Sequence, residues 1–331
     1  MNRKRVFDLL KIVVTLVMGY WVFKAIDVDH LWHVLVNAQW GWLLITLVLT
    51  FLGVAVRAKR WQILLEVFDL DIPLLELIRM YFIGFFFNNL LPSGLGGDAV
   101  RMVELNKKTH RGSDTVTSVV VDRLMGLFGS VTLAFLALFF SWQTVPREIA
   151  VASVLVFLGI ILGGFVLLNK SLYNLLRRIS LIRKITDIKF VSNIFTSFQT
   201  YNLRAIGRSF LAGILLSLIL IGMNVTIGLA LGIETSLAYY LVFVPLISLV
   251  LLLPITFAGL GTREAAYVFL FTQVGVSTEA ALGLSLLYYS FGNIAPGLVG
   301  GAIYLGQSIR DWQSRQQDPQ PQVDPIGESR L

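Results

Sequence analysis

The fold of this chain is decided at residues 88–101, which have the sequence Asn88-Asn89-Leu90-Leu91-Pro92-Ser93-Gly94-Leu95-Gly96-Gly97-Asp98-Ala99-Val100-Arg101. This stretch interrupts a long apolar run at residues 74–87. Pro92 has no N–H to donate to a helix, and the glycines that follow free the backbone. Asp98 can cap a new helix by accepting the unpaired N–H groups of its first turn. We therefore predict a helix that enters, unwinds and leaves as a second short helix.

The same order of residues recurs later in the chain, at residues 252–264. That stretch has the sequence Leu252-Leu253-Pro254-Ile255-Thr256-Phe257-Ala258-Gly259-Leu260-Gly261-Thr262-Arg263-Glu264. Paired interruptions in the two halves of a membrane protein indicate a transport site, because broken backbone is tolerated there only beside protein or water. The backbone positions on which this prediction depends are Pro92, Gly96, Gly97, Pro254, Gly259 and Gly261.

The composition is that of an integral membrane protein. Of the 331 residues, 56% are hydrophobic and 14% are charged, whereas soluble domains have about 45–50% and about 25%. The net charge is +7, and the basic residues cluster in loops between apolar runs. Basic residues at such positions indicate the topology of the chain and its contact with anionic lipid. We therefore expect no nucleic-acid partner. The chain has no cysteine, which excludes disulfides and sulfur-ligated metals.

Six apolar runs are long enough to cross a membrane, which takes about 20 residues. Two further runs are broken by proline and glycine, and we predict that each forms a re-entrant helical hairpin. The sequence thus predicts an all-α integral membrane protein with about six spanning helices. The predicted spans are residues 8–26, 40–56, 116–140, 149–168, 208–231 and 279–306, and the hairpins are residues 74–97 and 237–272.

Loop charge predicts how these segments are oriented. The basic cluster Arg57, Lys59 and Arg60 and the basic residues at 101–111 flank the first hairpin, which places both flanks in the cytoplasm. The flanks of the second hairpin lack Lys and Arg and are expected outside. The halves, about residues 1–140 and 141–307, then form an inverted repeat with both termini in the cytoplasm. Such repeats place a site near the mid-plane.

Two other segments are expected outside the spans. Within residues 169–207, apolar residues fall on one helical face and basic residues lie largely off it, which predicts an amphipathic helix on the cytoplasmic leaflet. The end of the chain is rich in Gln, Pro and Asp without an apolar period. We expect residues 308–331 to be a disordered cytoplasmic tail after a membrane domain at 1–307.

The second interruption carries the pair Arg263 and Glu264 beside a predicted helix N-terminus. Unpaired N–H groups and the helix dipole favour an anion at such a position, and the planar guanidinium suits phosphate. The alternative is a surface ion pair in a loop. In the first interruption, Asp98 and Arg101 hold the corresponding places. Their alternatives are a helix cap and an ordinary cytoplasmic arginine.

Asp122 and Arg123 lie inside a predicted span, where charged residues are costly and are candidates for function. Neighbouring residues do not face each other on a helix, so each needs a partner elsewhere, for example Arg101 for Asp122. The alternative is a structural ion pair that holds the hairpin. Three side-chain amides lie near the interrupted or kinked helices, those of Asn88, Asn89 and Asn293. Two interpretations stay open: they bond backbone carbonyls that the interruption leaves unpaired, or they line a polar groove.

We expect no metal, cofactor or independent catalysis. His30 and His33 are three residues apart near Asp27 and Asp29, which is a weak metal pattern in a loop where histidines are ordinary. No serine lies in a nucleophile elbow, and no phosphate-binding P-loop is present.

Taken together, these motifs resemble a known family. The motifs are Asn89-Leu90-Leu91-Pro92, Gly96-Gly97-Asp98, Arg101, Asp122-Arg123-Leu124-Met125-Gly126-Leu127 and Gly259-Leu260-Gly261-Thr262-Arg263-Glu264. They are similar to the flippase-like family, which is the transmembrane region of lysylphosphatidylglycerol synthases (the multiple peptide resistance factor) and its stand-alone relatives. The resemblance covers nearly the whole chain up to about residue 307. It implies a multi-pass protein of the bacterial cytoplasmic (inner) membrane that translocates lipid.

The resemblance also bears on enzymatic activity. In the resistance factor, this domain moves aminoacylated phosphatidylglycerol outward, and a separate soluble domain makes that lipid from an aminoacyl-tRNA. The present sequence stops after a short tail, so we expect the aminoacyltransferase domain to be absent and the protein not to be an enzyme. A separate lipid-modifying enzyme is then a possible partner, and the oligomeric state stays open.

The first hypothesis is therefore a flippase or scramblase for an anionic or aminoacylated phospholipid or a lipid-linked head group. The lipid phosphate would be bound by Arg101, Arg123 and Arg263. The acidic residues Asp98, Asp122 and Glu264 would hold those arginines or meet a cationic head group. Two alternatives stay open: an accessory subunit of a lipid-modifying enzyme similar to phosphatidylglycerol lysyltransferase, and a small-solute secondary transporter.

Overall fold

The computed structural model describes residues 28–90, 96–143, 145–176, 195–251, 256 and 259–317. The described residues form helices and no strands. The helices are α1 (Val28–Val36), α2 (Trp40–Leu65), α3 (Leu74–Leu90), α4 (Gly96–Thr109), α5 (Gly112–Phe140), α6 (Arg147–Leu168), α7 (Lys170–Leu176), α8 (Leu203–Ala230), α9 (Leu237–Val250), α10 (Thr262–Thr272), α11 (Thr278–Tyr289) and α12 (Ala295–Gln317).

Five stretches of helix among the described residues are long and apolar enough to cross a membrane. They are Trp40–Phe68, Gly112–Phe140, Arg147–Val166, Leu203–Ala230 and Thr278–Arg310. Each coincides with a predicted span, so the chain is an all-helical integral membrane protein. The sixth predicted span, residues 8–26, lies outside the described residues.

The boundaries of several helices differ from those predicted. The second span was expected to end at residue 56, before the basic cluster, but α2 continues through it to Leu65. Arg60, which lies in this extension, is buried against other helices instead of meeting solvent. The last helix runs to Gln317, so it extends beyond residue 307, where we expected the disordered tail to begin.

The first interruption joins two antiparallel helices, α3 and α4. Three contacts show the antiparallel arrangement, because positions that rise along α3 meet positions that fall along α4. Asn88 accepts a hydrogen bond from the backbone N–H of Gly97, the Arg101 guanidinium lies over the Tyr81 ring, and Lys108 pairs with Glu76. Pro92 and the rest of the connection, residues 91–95, lie outside the described residues.

The second interruption joins another antiparallel pair, α9 and α10. The ring of Phe271 near the end of α10 contacts Tyr240 and Phe243 near the start and middle of α9, with centroids 5.3 and 5.4 Å apart. Gly261 precedes α10 with φ of 79°, a left-handed conformation that favours glycine. Pro254 lies outside the described residues. Each predicted interruption thus separates two packed helices.

The two helix pairs pack reciprocally on the other half of the chain. The α3 helix packs along α12, and α9 packs along α5. Between them, α8 packs against both α2 and α5. At Gly129 of α5, a Cβ atom would lie only 2.6 Å from the backbone carbon of Gly213 in α8. These glycines let the two backbones touch, which is how helices commonly associate in membranes.

A turn of π-helix, Ser290–Ile294, connects α11 to α12. It lies just before Pro296, which has no N–H to complete the regular helical hydrogen bonds. Beyond it, Gly300 has no room for a Cβ atom, which would overlap with the backbone oxygen of Phe82 in α3. The irregular turn therefore accompanies a close approach of the last helix to the first helix pair.

Two large apolar clusters of buried residues form among the described helices. One surrounds Trp61 and Leu64 of α2 and Met80 of α3, and the other surrounds Phe243 and Phe271 of the second helix pair. The predicted amphipathic segment is represented here by α7 and by residues 195–202. Its central part, residues 177–194, lies outside the described residues.

Candidate functional site

A cavity of about 330 Å³ lies between the first helix pair and helices α2, α5 and α8. Six charged residues line it, namely Arg57, Arg60, Asp98, Arg101, Asp122 and Arg123. Uncharged polar groups also line it, namely Tyr81, Asn88, Ser130, Ser217, Ser248 and Asn293, and apolar groups such as Phe85, Leu127 and Leu216 complete the lining. The cavity thus contains charged groups although it lies among membrane-spanning helices.

Asp122 of α5 is the central acid of the cavity, and side chains from α2 and α3 hold its carboxylate in place. Arg60 of α2 donates from Nε to Oδ1 of Asp122 at 2.7 Å, and the hydroxyl of Tyr81 in α3 donates to Oδ2 at 2.7 Å. The side chains of Arg60 and Asp122 are 5% and 3% exposed. Both carboxylate oxygens are therefore hydrogen-bonded, as a buried charge requires.

Arg101 of α4 lies beside this ion pair. Its Nη2 donates to Oδ1 of Asp98 at 2.5 Å, and its Nη1 lies 3.9 Å from Oδ2 of Asp122. The guanidinium also stacks over the rings of Tyr81 and Trp61, 4.0 and 4.8 Å from their centroids. The partner proposed from the sequence, Asp122, is thus within ion-pair distance, but Asp98 is closer.

Asp98 lies inside the first turn of α4, because the helix begins at Gly96. The sequence suggested a helix cap, but its carboxylate is held instead by Arg101 and by Arg123, whose Nη1 lies 3.3 Å from Oδ2. Two guanidiniums attract this carboxylate more strongly than backbone N–H groups do. Arg123 is 43% exposed at its side chain and reaches the cavity from α5.

The cavity has more positive than negative groups. Four arginines face two aspartates. Arg57 forms no ion pair with a carboxylate in the part of the chain that the structure describes, and its guanidinium lies 5.3 Å from the Phe85 ring. In addition, Nη1 of Arg60 and Nη1 of Arg101 are buried without a hydrogen-bond partner. An excess of guanidinium groups around a cavity favours the binding of an anion.

Sequence reasoning missed Arg57, Arg60 and Tyr81 as members of this site. We assigned the two arginines to a cytoplasmic loop cluster, but Arg60 is buried and Arg57 lines the cavity. One signal was available, because residues three apart share a helix face. Of the two residues between them, Lys59 has a half-exposed side chain and bonds Gln62 on the outer face of the helix.

The three asparagines lie at the edge where α3 meets the π-helical turn. The side chain of Asn89 donates to the backbone oxygen of Asn293 at 2.9 Å and accepts from the hydroxyl of Tyr289 at 3.1 Å. Asn88 accepts from the N–H of Gly97 at 3.2 Å. These amides bond backbone groups next to the interruption, and Asn88 and Asn293 also line the cavity.

Arg263 and Glu264 lie outside the lining of this cavity. They are only 4% and 7% exposed, so they do not form the surface pair that was the alternative to phosphate binding. Arg263 donates to Oε1 of Glu264 from Nε and Nη2, and Oε2 of Glu264 accepts from the N–H of Gly261. The N-terminus of α10 is thus occupied by the protein's own carboxylate.

A stacking contact connects Arg263 to the first helix pair. Its guanidinium lies 3.9 Å from the centroid of the Tyr289 ring, and the hydroxyl of Tyr289 bonds Asn89. The structure therefore brings Arg101 and Arg123 together in one cavity and places Arg263 in a separate buried cluster.

Metal ligands are not grouped in the part of the chain that the structure describes. No set of three or more His, Cys, Asp or Glu side chains lies close enough to hold a metal ion there. His30 and His33 lie one turn apart on α1, and both are exposed.

Comparison with known proteins identifies the family. Residues 9–300 match the family described as the lysylphosphatidylglycerol synthase TM region, which is most of the chain. The chain belongs to this family. The family resemblance inferred from the motifs is therefore confirmed. The matched segment of this chain includes the cavity helices α2 to α5.

Three membrane proteins are similar to this chain over most of their own length. A UPF0104 membrane protein of Pyrococcus horikoshii is 23% identical over 328 residues, covering 92% of this chain and 97% of that protein. A second, from Methanocaldococcus jannaschii, is 25% identical and covers 61% and 86% of the two chains. A third, from Methanothermobacter thermautotrophicus, is 24% identical and covers 76% and 79%. All three are named as membrane proteins.

Proposed function

We propose that this protein is a lipid flippase or scramblase that binds the phosphate of an anionic or aminoacylated phospholipid, or of a lipid-linked head group, in the arginine cavity. The observation that carries the proposal is the group of four arginines facing two aspartates inside a membrane domain. Charged residues at membrane depth are costly and are retained where they bind or move a polar substrate. Guanidinium groups suit phosphate because of their paired donors.

The position of the cavity along the helices supports this proposal. Ser217 lines the cavity near the middle of α8. At a rise of about 1.5 Å per residue, it is about 20 Å from either end of that helix. A head group bound there would lie near the mid-plane of the bilayer, where transporters with repeated halves bind their substrates.

The two faces of α8 differ in a way that suits lipid transport. Leu211, Leu215 and Leu218 are exposed on one side, whereas Leu216 and Ser217 are buried and line the cavity. The exposed leucines suit contact with acyl chains. A phosphate head group would occupy the cavity while its acyl chains stay in the bilayer beside the helix.

The reciprocal packing of the helix pairs supports a mechanism by alternating access. In this proposal α3–α4 and α9–α10 are re-entrant hairpins, and the two halves are inverted repeats in the cytoplasmic membrane with both termini inside. Each hairpin packs on the last long helix of the other half, so a rocking movement of one half would move both hairpins. The cavity would then open to one leaflet at a time.

The proposed activity is transport and not catalysis. The family description names lysylphosphatidylglycerol synthases, so phosphatidylglycerol and its lysyl ester are the first lipids to test. A separate lipid-modifying enzyme that supplies the head group is the proposed partner.

A small-solute transporter is the second candidate. The cavity volume of about 330 Å³ is within the range of small-molecule sites, about 300–1,000 Å³. A free phosphate or phosphorylated solute would satisfy the same arginines without any lipid. Transport of a soluble anion without lipid movement would favour this candidate.

A leaflet-exposure assay tests the first proposal. Purified protein is placed in liposomes that carry a head-group-labelled phospholipid, and an impermeant quencher is added outside. We expect wild type to give quenching beyond the outer-leaflet share, and Arg123→Gln to lose most of the excess. Asp98 keeps Arg101 as a partner in that variant, so the fold should persist.

Arg208→Gln, which changes a half-exposed arginine outside the cavity, is the matched control. No excess with anionic, aminoacylated or phosphomonoester lipids would contradict the proposal.

A further inference from the structure

The charges of the cavity restrict the head group more narrowly than the family description does. Four guanidiniums and two carboxylates leave an excess of two positive charges among the described residues that line it. Buried charges are stable only when they are paired. A bound group with two negative charges would balance this excess, whereas a phosphodiester with a single charge would balance half of it.

The unsatisfied donors lie on the arginines that are most buried. Arg60 and Arg101 are 4% and 5% exposed, and the Nη1 atom of each has no hydrogen-bond partner. Arg57 adds a third guanidinium that no described carboxylate pairs. A terminal phosphate presents three oxygens that accept strong hydrogen bonds. Its negative charge would attract the guanidiniums of α2 and α4 together.

The two carboxylates are not available to a cationic head group. Asp122 already accepts hydrogen bonds from Arg60 and Tyr81, and Asp98 is held by Arg101 and Arg123. A lysyl ester would bring an ammonium into a cavity that already has excess positive charge. Like charges at close range are repulsive and become more so in a medium of low dielectric constant.

We infer that the ligand of the cavity is a phosphate monoester in its doubly charged form, and not a phosphodiester or an aminoacylated lipid. A lipid with a terminal phosphate and free phosphate offer the same chemistry to the cavity. The inference therefore rests on the proposed function only where it takes the ligand to be a lipid. The second ionisation of a phosphomonoester has a pKa of about 6. Binding should therefore strengthen as the pH rises through this value.

The test measures binding to the purified full-length protein by calorimetry. The probes are short-chain phosphatidic acid, short-chain phosphatidylglycerol, its lysyl ester and inorganic phosphate. At about pH 8, where the monoester is a dianion, we expect phosphatidic acid to bind about tenfold more tightly than phosphatidylglycerol, since one more charge-assisted hydrogen bond supplies that factor. The preference should largely disappear at about pH 5.

Arg57→Gln tests the charge count without leaving a carboxylate unpaired, because Arg57 has no ion-pair partner among the described residues. We expect this variant to bind phosphatidic acid and phosphatidylglycerol with similar affinity. Arg208→Gln removes one positive charge outside the cavity and should keep the preference. A preference that persists in Arg57→Gln would overturn the inference.

The remaining outcomes separate this inference from the proposed function. Equal binding of the two lipids, or tightest binding of the lysyl ester, would overturn the inference even if the leaflet assay succeeds. A preference for phosphatidic acid with no lipid movement in that assay would support the inference and contradict the flippase. Inorganic phosphate that binds as tightly as phosphatidic acid would support the charge argument and assign the site to a soluble anion.

Discussion

Arg60 and Asp122 form a buried ion pair across 62 residues of sequence, with 2.7 Å between Nε and Oδ1. Because Tyr81 bonds the other carboxylate oxygen, this one acid connects α2, α3 and α5. The pair therefore does two things at once. It fixes the first helix pair against α2 and α5, and it holds Arg60 in the lining of the cavity.

Removing the acid of this pair should destabilise the protein strongly. Asp122→Asn leaves Arg60 as a buried charge without a counter-charge, and breaking a buried pair costs about 3–5 kcal/mol. Thermal unfolding of the purified protein in detergent measures the loss. The double variant Arg60→Met with Asp122→Asn should recover part of it, since both charges are gone. A double variant as unstable as the sum of its single changes would contradict a direct coupling.

Gly126→Ala should disturb the cavity from one side without changing any charge. A Cβ atom at Gly126 would overlap with Nη1 of Arg60, so the guanidinium must shift. We expect a loss of stability of about 1–3 kcal/mol, as for other overpacked sites, together with weaker phosphate binding.

Gly159→Ala in α6 is the matched control for this change. No atom lies within 4 Å of a Cβ built at Gly159, and alanine favours helix over glycine by about 1 kcal/mol. Stability and binding should therefore be unchanged or slightly improved. Equal effects of the two substitutions would show that Gly126 matters as a helix position and not through Arg60.

Arg263→Gln should act on stability. Its partner Glu264 is buried and would keep only the N–H of Gly261 as a hydrogen-bond donor among the contacts described here. We expect a lower unfolding temperature and unchanged phosphate affinity of the folded fraction, measured by calorimetry after size-exclusion chromatography. Lost affinity in well-folded protein would instead support the expectation from the sequence that Arg263 binds the lipid phosphate.

The membrane architecture follows from local features of the sequence. Long apolar runs mark the five described spans, and proline with glycine marks where each helix pair is interrupted. Both signals depend on neighbouring residues only. The boundary at residue 56 was wrong because Arg57 and Arg60 were interpreted by the rule that basic residues mark cytoplasmic loops.

The composition of the cavity depends on packing that the sequence does not display. Asp122 signalled that it needs a partner, but its partner Arg60 lies on another helix. The three-residue spacing of Arg57 and Arg60 was the one local signal, and it does not indicate which helix they face. The two interruptions look alike in sequence, yet Asp98 and Arg101 line the cavity while Arg263 and Glu264 satisfy each other. Long-range contacts decide that difference.

The central claim, that a phosphate group binds in the arginine cavity, is tested most directly by protection of a single cysteine. The chain has no native cysteine, so Ser130→Cys places one thiol in the cavity lining, and Ser308→Cys places one on the exposed face of α12. The rate of reaction with an anionic thiol reagent is measured with and without phosphatidic acid. The account predicts that the lipid slows labelling at position 130, leaves position 308 unchanged, and loses this effect when Arg57→Gln and Arg123→Gln are added. Labelling at position 130 that is equally fast with and without the lipid would contradict it.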